Sequence, residues 1–329
     1  MNKIKILDIF YGNICNLTCF QCDTRSDIFR KGQYDKDIEN IKQSITLAKK
    51  HFEIEVYALL GGEPLMYLEK IEEILKFIRS FDNQTPIVIP TNGSLIEKYF
   101  EKFAQLISSY KLQINVCNHF SAFDDQERAN NVRSSSIKLA EYLDLNSTDP
   151  SDFFYNVLNY SDPNQVWQDW LTQRGGINNV LESGQYWTHD GMGIFLHDQD
   201  TFLYNHNIVN GMPKPFAEGD PEKSYLNGCC SPFCTYLYDK KLYKCGSLGT
   251  LKRFLDHHNL LEDKDWSPYL QYKPLDLENC TTEEATAFSD NKFKAIKECD
   301  MCPSYNKEFI KTPDTVLPGK KYVHIERVE

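Results

Sequence analysis

Three cysteines near the start of the chain have a spacing that suits an iron–sulfur cluster. Cys15, Cys19 and Cys22 follow the pattern C-x3-C-x2-C. Such clusters are held by cysteine thiolates, usually four of them. A tight group of three leaves one iron of a four-iron cube without a nearby protein ligand, and that iron could bind a substrate or cofactor. The spacing differs from the paired C-x2-C half-sites of zinc sites, so we expect a [4Fe–4S] cluster here.

A second group of cysteines lies in the last third of the chain, separated from the first by about 200 residues. Seven of the eleven cysteines follow residue 228, and the last two form a C-x2-C pair. Such a pair is also a good half of a zinc site, so zinc is the alternative to a second iron–sulfur cluster. The members of this group are Cys229, Cys230, Cys234, Cys245, Cys280, Cys299 and Cys302.

Strand and helix patterns alternate through the first 120 residues. Short β-rich segments alternate with segments whose apolar residues recur at helical spacing, which is typical of a parallel sheet with helical crossovers. Strands are predicted at residues 3–10, 53–60, 86–90 and 112–116, and helices at residues 35–51, 67–79 and 95–108. A fifth strand is predicted at 153–159, and a further helix opens at Pro163. Another helix is predicted at 292–297, just before the last C-x2-C pair.

Two short motifs follow the second and third predicted strands. Gly61-Gly62-Glu63-Pro64 ends the second strand, and Thr91-Asn92-Gly93 ends the third. Either motif alone is typical of an ordinary turn. Because chemistry in α/β barrels gathers at the carboxyl ends of the strands, these turns and the three cysteines should converge on one pocket.

Together these motifs resemble the signature of the radical SAM superfamily. The resemblance implies a partial (β/α)6 TIM-like barrel, with residues 1–215 as the core. It implies that Cys15, Cys19 and Cys22 hold a [4Fe–4S] cluster that takes part in catalysis by cleaving S-adenosylmethionine (SAM). The residues it places beside SAM are Gly61, Gly62, Glu63, Pro64 and Asn92. At the end of the fourth predicted strand, His119 and either Asn115 or Asn118 are further candidates to line the SAM pocket, and Asn115 is the first choice. One departure concerns adenine binding, since Gln21 stands where the family usually has an aromatic residue.

The C-terminal third resembles the auxiliary-cluster region called SPASM, or its shorter form, Twitch. This resemblance implies a smaller cysteine-rich β-hairpin and helix domain over residues 216–329, with a hairpin turn at Asp239-Lys240. Lys240 stands where the pattern has a glycine. No cysteine follows Cys302, so a single second [4Fe–4S] cluster is expected. Its first-choice ligands are Cys230, Cys245, Cys299 and Cys302, and Cys234 is a close contender. Cys229 and Cys280 are expected to be spares that hold no metal.

Composition limits the partners. The net charge of −11 argues against a general nucleic-acid surface, which needs clustered Lys and Arg. No segment approaches the length of apolar sequence that spans a bilayer, and the N-terminus has no secretory signal core. We therefore expect a cytoplasmic protein.

The resemblance implies an oxidoreductase in which a 5′-deoxyadenosyl radical abstracts hydrogen from its substrate, giving a net oxidation or a cross-link. The substrate is either a peptide or protein or a small molecule, and the short segment before Cys15 keeps the second class open. An external one-electron reductant such as flavodoxin or ferredoxin is expected. The alternative is a non-catalytic iron–sulfur electron carrier or scaffold on the same fold.

Overall fold

The structure is a computed structural model. It describes residues 2–17, 19, 22–29, 31–120, 125–158, 181, 183–198, 206–226, 229 and 231–303. Cys230, Gln21 and the helix predicted from Pro163 lie outside the described residues.

Among the described residues, ten strands form one sheet, and two more form a separate hairpin. The sheet order is β12-β11-β10-β1-β2-β3-β4-β7-β6-β5, and β8 pairs with β9. The strands are β1 (Asn2–Gly12), β2 (Phe52–Gly61), β3 (Ile87–Thr91), β4 (Leu112–Asn118), β5 (Asn146–Thr148), β6 (Gln185–His189), β7 (Met192–Asp198), β8 (Asn207–Val209), β9 (Met212–Lys214), β10 (Cys234–Tyr238), β11 (Lys241–Tyr243) and β12 (Leu275–Asp276).

The centre of the large sheet is parallel. From β10 through β1, β2, β3 and β4 to β7, every neighbouring pair runs in the same direction. Antiparallel strands lie only at the two flanks of this sheet in the described residues. The predicted α/β class with a mostly parallel sheet is therefore confirmed. All the carboxyl ends of the parallel strands meet at one edge, where the candidate site lies.

Seven α-helices accompany the strands in the described part of the chain. They are α1 (Ile38–His51), α2 (Leu68–Arg79), α3 (Phe100–Tyr110), α4 (Gln126–Tyr142), α5 (Pro221–Leu226), α6 (Gly246–His257) and α7 (Thr282–Asn291). Side chains cap several of them. Asp37 accepts a hydrogen bond from the Asn40 N–H at the start of α1, and Asp125 accepts one from the Arg128 N–H at the start of α4. In α1 to α4 the buried positions recur at helical spacing, so one side of each helix packs inward.

The sheet buries two apolar layers. The larger core contains the buried sides of α1, α2 and α3 together with alternate residues of the strands. The second layer comes from the opposite side of the strands and includes Ile6, Ala58, Val88 and Phe195. Successive side chains of a strand point to opposite faces, so every second residue lies on this second face. This face of the sheet borders a cavity.

Two predicted elements are wrong. Residues 153–158, the described part of the predicted fifth strand, do not form a strand: Phe153–Val157 is a π-helical turn whose Phe153 ring stacks on Phe195 at 4.7 Å. The fifth strand of the core is β7. The helix predicted near 292–297 lies earlier, because Thr281 and Glu284 form a capping box that starts α7, which ends at Asn291.

The C-terminal hairpin extends the sheet of the core. The predicted hairpin turn is confirmed, with Asp239 and Lys240 both at positive φ. Strand β10 pairs in parallel with β1, with Ile6 opposite Cys234. The boundary near residue 215 stays a prediction. In the described residues no helix has the length and apolar character needed to cross a membrane.

Candidate functional site

The loop after β1 brings the three N-terminal thiols together. The Cys15 Sγ accepts a hydrogen bond from the Leu17 N–H at 3.4 Å, and the Cys22 Sγ lies 3.3 Å from the Thr24 Oγ1. The Cys19 Sγ lies 4.0 Å from the His119 Nδ1 at the end of β4. None of the three is in a disulfide.

The electrostatics of these thiols fit a cationic ligand. Burial raises the pKa of Cys15, Cys19 and Cys22, and for Cys19 the negative charges of the other two raise it further. Metal ligation requires the thiolate, which this environment disfavours in the absence of positive charge. An iron–sulfur cluster supplies that charge, so the donor set fits the expected group.

The arrangement is not that of a single-ion site. Within the described ranges, no three His, Cys, Asp or Glu side chains are close enough to hold one metal ion. In a four-iron cube each thiolate binds a different iron, so its cysteines are spread more widely than those around one zinc ion.

The turn after β2 touches the cysteine loop directly. The Gly62 N–H donates to the Gly12 carbonyl at 2.8 Å, and the Glu63 N–H donates to the Ile14 carbonyl at 3.0 Å. A Cβ on Gly62 would overlap the Ile14 carbonyl, so only glycine allows this approach. The second glycine of the motif therefore sets the distance between the turn and the cysteine loop.

Glu63 joins the turn after β2 to the turn after β3. Its Oε1 accepts hydrogen bonds from the Thr91 hydroxyl at 2.7 Å and the Leu65 N–H at 3.2 Å, and its Oε2 accepts one from the Asn92 N–H at 3.0 Å. Burial raises the pKa of Glu63 to about 7, while these three hydrogen bonds lower it. The side chain thus positions both turns, and its contact with SAM stays a prediction.

The turn after β3 also reaches the cysteine loop. The Asn92 Nδ2 donates to the Asn16 Oδ1 at 3.0 Å and lies 4.0 Å from the Cys15 Sγ. Gly93 has a φ of 74°, which favours glycine, and a Cβ there would press on Val116 and Val132. The three motifs predicted to converge are therefore in mutual contact.

Two positioning residues were missed from the sequence. Asp35 accepts a hydrogen bond from the Asn13 N–H at 2.8 Å, and the Tyr67 hydroxyl accepts one from the Ile14 N–H at 2.7 Å. Tyr67 in turn donates to Asp35 at 2.6 Å. This pair fixes the backbone just before Cys15, and neither residue belongs to a recognisable motif.

A cavity of about 310 Å³ lies between one face of the large sheet and the C-terminal group of cysteines. Inward-facing residues of four neighbouring strands line one side of it, namely Asp8, Ala58, Val88 and Asn115. The Asn115 Oδ1 is a buried acceptor with no hydrogen-bond partner among the described residues. Such an atom can receive a donor from a bound molecule, which fits the predicted SAM contact.

Five C-terminal cysteines line the other side of the same cavity: Cys229, Cys234, Cys245, Cys299 and Cys302. Burial raises the pKa of Cys299 to about 12, and the nearby Cys229 raises it further. Cys229 therefore joins the candidate ligands, although the sequence set it aside as a spare. Cys280, the other spare, packs against the larger core instead.

Replacing Glu63 by glutamine is expected to destabilise the protein by about 1–3 kcal/mol, because the amide NH2 would face a buried N–H that now donates to a carboxylate oxygen. Urea unfolding of the iron-free protein measures this. Glu101→Gln, on an exposed position of α3, is the matched control and should be neutral. Equal stability of the two variants would contradict the role assigned to Glu63.

Comparison with known proteins identifies the N-terminal part of the chain. Residues 9–134 match the radical SAM superfamily. The match covers less than half of the chain, and over these residues the chain is similar to radical SAM domains. The family implies a [4Fe–4S] cluster and SAM as cofactors, which confirms the two expected from the sequence. All three cysteines, both turns and Asn115 fall within the matched residues.

Individual relatives are more distant. The chain is 25% identical over 239 residues to an S-adenosylmethionine-dependent nucleotide dehydratase of Fibrobacter sp. (strain UWH6), covering 70% of this chain and 69% of that protein. It is 30% identical over 100 residues to a GTP 3′,8-cyclase of Alkaliphilus metalliredigens (strain QYMF), covering 30% and 31%. A crystal structure of Streptococcus suis SuiB bound to the precursor peptide SuiA matches with a TM-score of 0.35 and 16% identity, over 83% of this chain and 68% of that one.

Proposed function

We propose that this protein is a radical SAM enzyme that abstracts hydrogen from its substrate and carries a second iron–sulfur cluster. The observation that carries the proposal is the hydrogen-bonded connection between the cysteine loop and the two turns through Glu63 and Asn92. When bound, the first cluster and SAM supply the 5′-deoxyadenosyl radical.

The residues of the radical SAM domain have separate tasks. Cys15, Cys19 and Cys22 hold the first cluster. The turn from Gly61 to Pro64 and the Asn92 turn bound the SAM site, and the unpartnered oxygen of Asn115 accepts a hydrogen bond from a bound molecule. The apolar lining of the cavity beside these groups excludes water from a reactive species.

The second cluster belongs to a SPASM- or Twitch-like region over residues 216–329. Cys245, Cys299 and Cys302 are proposed ligands, and the remaining thiolate comes from Cys229, Cys230 or Cys234. Support comes from the five thiols around one cavity, which also reaches the inner face of β1 to β4. The second cluster would therefore lie beside the substrate.

Both a small molecule and a peptide or protein remain proposed classes, with net oxidation or cross-linking as the outcome and flavodoxin or ferredoxin as reductant. Within the small-molecule class, the names of two relatives, a nucleotide dehydratase and a GTP cyclase, favour a nucleotide.

Metal analysis after oxygen-free purification tests the proposal. Two four-iron clusters predict about eight irons and eight sulfides per chain. A content of about four irons per chain would contradict the proposed second cluster. Zinc in place of iron would contradict the whole proposal.

A further inference from the structure

Two lysines are buried beside the second group of cysteines. Lys244 follows β11 directly, and Lys292 follows α7; their exposed fractions are 4% and 6%. Lysine is almost never this buried unless it is paired. Lys244 also lines the cavity that the five cysteines share.

The two ammonium groups bind backbone carbonyls. The Lys244 Nζ donates to the carbonyl oxygens of Lys292 at 2.9 Å and Lys294 at 2.7 Å, and also to that of Asn291. The Lys292 Nζ donates to the carbonyl oxygens of Lys244 at 2.7 Å and of Cys234. These reciprocal bonds fix both charges in place next to the cysteines.

Carbonyls satisfy the hydrogen bonds but do not neutralise the charges. Among the described residues, no carboxylate lies within 4.0 Å of either ammonium group. The ionisable groups near them are cysteines: Cys229, Cys245 and Cys299 for Lys244, and Cys229, Cys234 and Cys245 for Lys292. Burial lowers the pKa of both lysines, to about 8 for Lys292. Two buried cations without a carboxylate beside them are costly, and an anionic group bound among these cysteines would offset that cost.

We propose that Lys244 and Lys292 raise the reduction potential of the second cluster and so make it a better electron acceptor. Four thiolates outweigh the positive charge of an oxidised iron–sulfur core, and adding one electron makes the site more anionic still. Fixed positive charges in a desolvated setting stabilise that reduced form most. This inference rests on the proposed second cluster.

A redox titration of the full chain tests the inference. Lys292→Gln and Lys244→Gln remove one charge each, and Lys294→Gln is the matched control because its exposed side chain lies two residues from Lys292. Dithionite supplies the single electron, and electron paramagnetic resonance follows each cluster. We expect the second cluster to be reduced at a more negative potential in both buried variants, with its potential unchanged in Lys294→Gln and the first cluster unchanged in all three.

The outcomes separate this inference from the proposed function. Full iron content with an unshifted potential in both buried variants would overturn the inference alone. About four irons in the wild type would overturn the second cluster, and the inference with it. If a glutamine variant loses the second cluster, Lys292→Arg, which keeps the positive charge, is the deciding variant. A second cluster retained at the wild-type potential in Lys292→Arg would support a role of charge. Loss of the second cluster in Lys292→Arg would contradict that role.

Discussion

Replacing Cys19 by alanine is expected to abolish the release of 5′-deoxyadenosine from SAM. The first cluster has only three protein ligands, so removing one leaves two, and a cube held by two thiolates should not persist. The loss should be complete, with product no higher than in an iron-free control. Chromatographic measurement of 5′-deoxyadenosine after reduction with dithionite gives the result.

Cys280→Ala is the matched control for this experiment. Cys280 packs against the larger core and is only partly buried, so its loss should leave SAM cleavage near the wild-type rate. Normal SAM cleavage by Cys19→Ala would show that the first cluster is not where we place it.

Replacing Cys245 by alanine should remove the second cluster and spare the first. Cys245 lines the cavity with four other cysteines, and its neighbour Lys244 is one of the buried cations. The iron content should fall from about eight to about four per chain. Because the first cluster depends on Cys15, Cys19 and Cys22, this variant should still cleave SAM in the absence of substrate.

The contrary result for Cys245→Ala is specific. Unchanged iron would mean that Cys245 is not a ligand, and that Cys229, Cys230 and Cys234 supply more than one thiolate between them. Loss of all the iron would mean that the two sites do not form independently.

The parallel core could be predicted from the sequence because its signals are local. Apolar runs such as those of β1 and β2 alternate with amphipathic helices, and turn residues end each strand. The turns that contain Gly62 and Gly93 could be assigned to the site because they follow two predicted strands and resemble family motifs, and the structure shows that both positions require glycine. Site and fold are thus predicted by the same residues in this part of the chain.

The hairpin of β6 and β7 was missed although a signal was present. Asp190 and Gly191 both have positive φ, and an Asp-Gly pair between two short β-rich runs is a strong hairpin signal. The sequence prediction places the fifth strand on the aromatic run near Phe153 instead. Its conformation depends on stacking with Phe195, about 40 residues away, which no local pattern reports.

The positioning contacts could not be predicted either. Asp35 and Tyr67 support the cysteine loop from two separate helical connections, and the pairing exists only once the sheet is formed. The buried lysines are similar, since most of the cysteines near each of them are far away in the sequence. Candidate ligands of a site can be predicted from local motifs far better than the residues that position those ligands.

The release of 5′-deoxyadenosine by the wild-type protein is the most direct test of the central claim. Protein prepared without oxygen, reduced with dithionite and given SAM should form 5′-deoxyadenosine and methionine in equal amounts. Protein that holds its iron under these conditions but leaves SAM intact would contradict the account and favour an iron–sulfur scaffold.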